Sequence, residues 1–159
     1  MEHNWNGVLG HNIFEVNHVI KKIFGIIIIF QFVSTIASAQ TNRQIEVFEI
    51  SKGKVIAIVQ QNPQLQQEVK TFLEGISGVY VKYNPIPKTG YMIRVPLEPP
   101  IMVKNQWFND LVDEVTIIFS GQENPYIMVF DDENRLHFLT FERDTAHFLR
   151  LLDYEKWMR

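Results

Sequence analysis

The sequence predicts an α+β fold in which a mostly antiparallel sheet carries two helices on one face. Three observations predict it. Runs of β-branched and aromatic residues separated by turn residues recur over 44–59, 91–104 and 112–141. Apolar residues at helical spacing occur only over 63–76 and 144–157. The resulting order, ββα-ββ(β)ββ-α, lacks the strand–helix alternation that a parallel sheet requires.

Gln44 to Ile50 alternates as a strand, "SKGK" is a turn with Gly53 where positive φ is useful, and Lys54 to Val59 is a second β-rich run. Asn62 is placed as an N-cap with Pro63 at the first helical position. Leu65, Val69, Phe72 and Ile76 then share one helix face, with Gly75 and Gly78 stopping the helix. The other face carries Gln66, Gln67, Lys70 and Glu74 and reads as solvated.

After "YNPIPKTG", Tyr91, Ile93, Val95 and Leu97 lie on one face of a strand, with Met92, Arg94 and Pro96 on the other. Pro96 cannot donate to a ladder, which predicts an edge or a strand end. A short strand at Ile101 to Lys104, a helical turn near Trp107 to Asp110 and a strand at Val112 to Phe119 follow. Tyr126 to Phe130 and Arg135 to Phe141 form a hairpin across "DDEN". Asp144 caps a final helix through Trp157, whose Phe148, Leu151 and Leu152 face the sheet. About six large side chains from the two helices contribute on the order of 10 kcal/mol of burial before entropy.

Upstream of this domain, "VIKKIFGIIIIFQFVSTIASAQ" has the three parts of an export signal. Lys21 and Lys22 are the positive part, Ile23 to Val33 the apolar part, and Ala37-Ser38-Ala39 a small-x-small cleavage pattern before Gln40. A spanning helix needs about twenty apolar residues, whereas Ser34, Thr35 and Ser38 end this run early. The expected organisation is therefore a signal peptide at 19–39, cleaved after Ala39, and one globular domain at 40–159. Residues 1–18 lack sustained periodicity and read as an upstream extension ahead of a start at Val19. Codons GAG-GTG at Glu15 and Val16, the translated image of a ribosome-binding site, would mark that start. The expected location is extracellular or at the cell wall, with membrane contact only during export.

The chain has a formal net charge of -3. The leader holds equal numbers of lysines and glutamates, so its removal leaves that charge unchanged. This argues against a nucleic-acid binder. With no cysteine, the domain has no disulfides, thiol catalysis or cysteine metal site. Packing alone must hold it, and an aromatic content of 13% makes that feasible.

The catalytic inventory is poor. Ser51, Ser77 and Ser120 all fall at turns, outside any G-x-S-x-G or S-x-x-K context. His137 and His147 are the only histidines after the leader, without H-x-x-x-H spacing for zinc. "DDENR" at 131–135 has the oxygen donors of a cation loop but lacks its glycine and distal glutamate, and reads first as a hairpin turn. Asp113 and Glu114 point to opposite strand faces, which weakens a paired-carboxylate site with Asp110. No catalytic residue, metal ligand or cofactor is assigned.

The most unusual composition is "YVKYNPIPKTGYMIRVPLEPP" at 80–100. Prolines stiffen it, tyrosines supply amphipathic contact area and cations can attract an anionic ligand. Tyr83, Pro85, Pro87, Lys88, Tyr91 and Arg94 are the candidate binding residues, with an anionic cell-wall polymer or a secreted protein as partner. A bland reading stands beside it, in which the segment connects strands and its tyrosines pack on the core. Two further function classes compete with a binding domain. One is a secreted inhibitor that presents "NPIPKTG" to a protease or wall hydrolase, and the other a small hydrolase using His137 with a carboxylate.

That segment, with "NQWFNDLVDEVTIIF" and "PYIMVFDDENRLHFLTF", resembles small exported proteins of Bacillus-type Gram-positive bacteria with no assigned activity. The resemblance implies secretion and one compact domain, and brings no catalytic residues with it.

Overall fold

Alternation of buried and exposed residues builds one seven-stranded sheet, every neighbouring pair antiparallel, in the order β2-β1-β4-β5-β6-β7-β3. The strands are β1 (Ile45–Glu49), β2 (Lys54–Val59), β3 (Ile76–Val79), β4 (Tyr91–Lys104), β5 (Asn109–Phe119), β6 (Tyr126–Phe130) and β7 (Leu136–Phe141). Two helices, α1 (Pro63–Glu74) and α2 (Ala146–Leu151), and a 3-10 turn at Tyr154–Lys156 are the other elements among the described residues. This is a computed structural model, and it describes residues 44–157. The export signal, the upstream extension and Ala37, Ala39 and Gln40 lie outside the described residues.

Both helices pack on one face, as the α+β reading requires. Val47, Ile93, Val95, Val115, Ile117, Ile127 and Leu139 from the sheet join Leu65, Val69, Phe72, Leu73, Phe148 and Leu152 from the helical side in one buried cluster. Phe72 is its hub, stacked on Phe141 at 4.9 Å and edge-on to Phe148 at 5.5 Å. Among the described residues no helix is long and apolar enough to cross a membrane.

The helix begins as predicted. Asn62 accepts a hydrogen bond from Leu65 N–H at 2.9 Å, ahead of Pro63. It ends earlier than Ile76, because Gly75 turns its N–H back onto Thr71 O and Phe72 O while its own carbonyl accepts from Glu142 N–H. Ile76 thus opens β3, a strand the helical spacing conceals, and is buried against β7 rather than on the helix.

The two predicted runs at 91–97 and 101–104 are one long strand with an irregularity between Pro96 and Ile101. Pro96 lies on a locally open side of that strand, as the reading of an edge or strand end expects, and is the last residue before the shift in register with β5. It is tolerated because the pairing of β1 with β4 stops at Arg94. Pro96 O is taken instead by Gln61 and Gln66 side chains, and the N of a strand residue faces the same side as its O, so no ladder bond is lost. The predicted helical turn at 107–110 is absent. Asn105 Oδ1 accepts from the N–H groups of Trp107 and Phe108 in a hairpin turn instead.

The last helix is shorter than the predicted 144–157. Asp144 Oδ1 does accept from Ala146 N–H at 2.9 Å, but Asp153 adopts a left-handed φ of 57° that breaks the helix. Phe148 and Leu152 are buried as predicted. Trp157 folds back so that its ring meets Tyr91 edge-on at 5.4 Å.

Candidate functional site

The six candidate binding residues fall into two sets. Tyr83, Pro85, Pro87 and Lys88 belong to a loop lying over the face of the sheet opposite the helices. Tyr126 and Ile118 on that face are almost wholly buried, and Tyr126 Oη donates to Pro85 O, so the loop covers Tyr126. Its first part is braced by the ring of Tyr80, stacked on Tyr126 at 3.9 Å, and by Glu123, which accepts from both Tyr80 Oη and Lys82 Nζ. The Lys82 and Tyr80 bonds hold the Glu123 carboxyl below its ordinary range. Burial, with the Tyr80 hydroxyl beside it, pushes the Tyr126 phenol up. Tyr83 is 98% exposed and Lys88 also faces solvent.

Tyr91 and Arg94 do not join that surface. Tyr91 faces the helical side against Trp157. Arg94, on the opposite face, is neutralised between Glu46 at 2.8 Å and Glu114 at 2.7 Å. The side-chain bond to Glu46 leads in raising its pKa. Arg94 thus ties β1, β4 and β5 together on that face.

His137 meets a carboxylate. Its Nε2 lies 2.9 Å from Asp131 Oδ2, and its ring stands edge-on to Phe108 at 5.2 Å. Asp131, with a side chain 3% exposed, also accepts from Arg135 Nε and from the N–H groups of Glu133 and Arg135. These bonds shape the β6–β7 turn, with Asn134 at a left-handed φ of 58°. The three serines are engaged elsewhere: Ser51 with Glu49, Ser77 with Thr140, and Ser120 with the N–H groups of Gln122 and Glu123.

Burial works to raise the Asp131 pKa, but the bonds from His137 and Arg135 outweigh it and hold the carboxyl well below the usual range. A depressed folded-state pKa stabilises at pH above the unfolded value of about 4 and is lost as pH falls through the folded one. The expected result is a domain whose unfolding midpoint drops progressively below about pH 5, with the drop reduced in Asp131→Asn, which starts less stable at pH 7. Parallel acid-dependent melts of both proteins would contradict the assignment.

A concavity lies elsewhere among the described residues. A hollow of about 720 Å³ separates the N-terminal half of α1 from Glu98, Pro99 and Pro100 at the β4 irregularity. A second, of about 370 Å³, continues along α1 to Glu74 and Asn105, and both share Lys70, Ile101 and Met102. Together they make a groove along the helix face that reads as solvated in the sequence. Gln66 fastens one wall, donating from Nε2 to Pro96 O at 2.8 Å and accepting Glu98 N–H at 3.1 Å on Oε1. The groove is lined by carboxamides (Gln61, Gln67), by prolines (Pro63, Pro99, Pro100), by the apolar Ile101 and Met102, and by the cation Lys70. Volumes of 300–1,000 Å³ with apolar floors and a few polar groups suit small or extended ligands.

No protein-family model, curated protein or solved structure matches this chain. The site must be read from its own chemistry.

Sequence reasoning passed over Gln67, Lys70 and Met102. One signal was present: the outward helix positions carry the adjacent glutamines Gln66 and Gln67 beside the Lys70–Glu74 pair. The C-terminal part of 80–100 does reach the groove through Glu98, Pro99 and Pro100.

Proposed function

We propose that this chain is an exported binding domain of the cell envelope or extracellular space, which holds an extended peptide segment of a partner protein in the groove along α1. The groove carries the reading. Gln67, with the carboxamide oxygen of Gln61, can pair with peptide groups, while prolines and Met102 offer the adaptable apolar contact that extended peptides use. The leader at 19–39 and the resemblance to small exported proteins support the extracellular setting. An anionic wall polymer is a poorer fit, because the net charge is -3 and Arg94 is already matched by two carboxylates.

The test is selection of a displayed random-peptide library on the purified protein. The expected result is an enriched consensus whose binding falls at least about tenfold in Met102→Arg or Gln67→Arg, which fill the groove without touching the core. Tyr83→Ala should leave it unchanged. Retained binding in both groove variants, or no enrichment, would overturn the assignment.

The inhibitor reading keeps one observation in its favour. The loop is braced through Tyr126 and Glu123 while Ile86 and Lys88 remain exposed. It requires inhibition of a trypsin-like protease that Lys88→Ala abolishes.

A further inference from the structure

We infer that the β3 edge of the sheet is a homodimer surface, where two copies of the chain join β3 to β3 about a two-fold axis at Tyr80. The two edges of the sheet are treated differently. On β2 the register shifts at Val47/Phe48, so two β2 residues oppose one step of β1, and Lys54 stands at its end. A bulge and an edge lysine are the usual guards against strand addition.

The β3 edge also carries a register shift, but between Ile76 and Gly78, before its outward-facing residues, and among the described residues its lysine is already engaged. Its pairing with β7 runs on past Val79, with Tyr80 N–H donating to Phe138 O at 2.9 Å, and the chain continues without a bend through Lys82. Lys82, the natural gatekeeper, is held by Glu123. Because Tyr80 directs its backbone polar groups to β7, alternation directs those of Val79 and Val81 outward. Their side chains are 51% and 89% exposed. A contiguous stretch of strand-prone, outward-facing valines is a template for another strand.

The occupant follows from the register. A two-fold axis demands that the edge complement itself, and Val79-Tyr80-Val81 is symmetric about Tyr80. Antiparallel pairing there sets Val79 opposite the partner's Val81 as a hydrogen-bonded pair on each side of the axis, while Tyr80 faces its own copy without backbone bonds. This matches the directions in which these groups already point. Both pairs bring valine against valine, and the irregularity between Ile76 and Gly78 lies beyond the paired residues. The resulting sheet spans both copies and leaves the groove on α1 open.

Sedimentation velocity across a broad dilution series, on protein produced from the full-length chain, tests this. The wild type is expected to show a concentration-dependent dimer. Val81→Pro removes the outward N–H at a side chain that is 89% exposed, and is expected to give a monomer whose thermal midpoint equals that of the wild type at dilutions where the wild type is monomeric. In a protein without native thiols, mixing Val79→Cys with Val81→Cys should form a disulfide-linked pair faster than either variant alone. A monomer at every concentration, a dimer indifferent to Val81→Pro, or no preference for the mixed disulfide would overturn the inference.

Discussion

Gly90→Ala is expected to be among the most damaging single substitutions in the domain, costing at least about 3 kcal/mol of stability. Gly90 has a φ of 115°, and a Cβ there would lie 2.0 Å from Phe119 O. The neighbour is backbone, so no rotamer change relieves the contact. Gly90 O also accepts from Ile50 N–H at 3.0 Å, so displacement would pull the β1–β2 turn away from the start of β4 and loosen the loop over Tyr126. Gly53→Ala is the control. Gly53 also has a positive φ, of 61°, but nothing lies within 4 Å of its Cβ position, so the cost should be about 1 kcal/mol. Urea unfolding of both variants measures the difference directly. Equal midpoints would show that the backbone at Gly90 is not as close to β5 as described.

Phe72→Ala should cost about 3–5 kcal/mol, the range for truncating a fully buried phenylalanine. Phe72 is 0% exposed and contacts rings from β7 and α2 at once. Its loss leaves a cavity between the two helices and should also detach α2, which has only six residues and no side-chain cap bond at Thr145. Hydrogen exchange should therefore accelerate over 146–152 more than over β4 and β5. Phe130→Ala, at a side chain 46% exposed, should change stability by no more than about 1 kcal/mol. A small effect at Phe72 would remove the central support of the two-layer arrangement.

Where local rules and tertiary structure agree, the fold was legible. Asn62 and Pro63 start α1 because cap chemistry is local, and Tyr126 to Phe141 forms its hairpin because alternation and turn residues coincide. Legibility failed where one residue serves two patterns. Ile76 continues the helical spacing yet belongs to β3, because the Glu142 N–H drawn to Gly75 O is 67 residues away in sequence. Pro96 does mark the open side of β4, but the capture of its carbonyl by Gln61 and Gln66 depends on a helix start 30 to 35 residues earlier in the chain and is not written locally. The candidate site shows the same division. The proline and tyrosine content of 80–100 marked an unusual surface, but part of that segment packs on Tyr126, through the stacked ring of Tyr80 and the carbonyl of Pro85. The groove needs α1 and β4 side by side, and only residues 98–100 of that marked segment reach it.

The claim on which the functional reading rests is that the domain works outside the membrane. Intact mass of the protein recovered separately from medium, wall, membrane and cytosol of a Gram-positive host tests it most directly. The account predicts a species beginning at Gln40 in the medium or wall fraction. A cytosolic species that still carries residues 19–39 would contradict it.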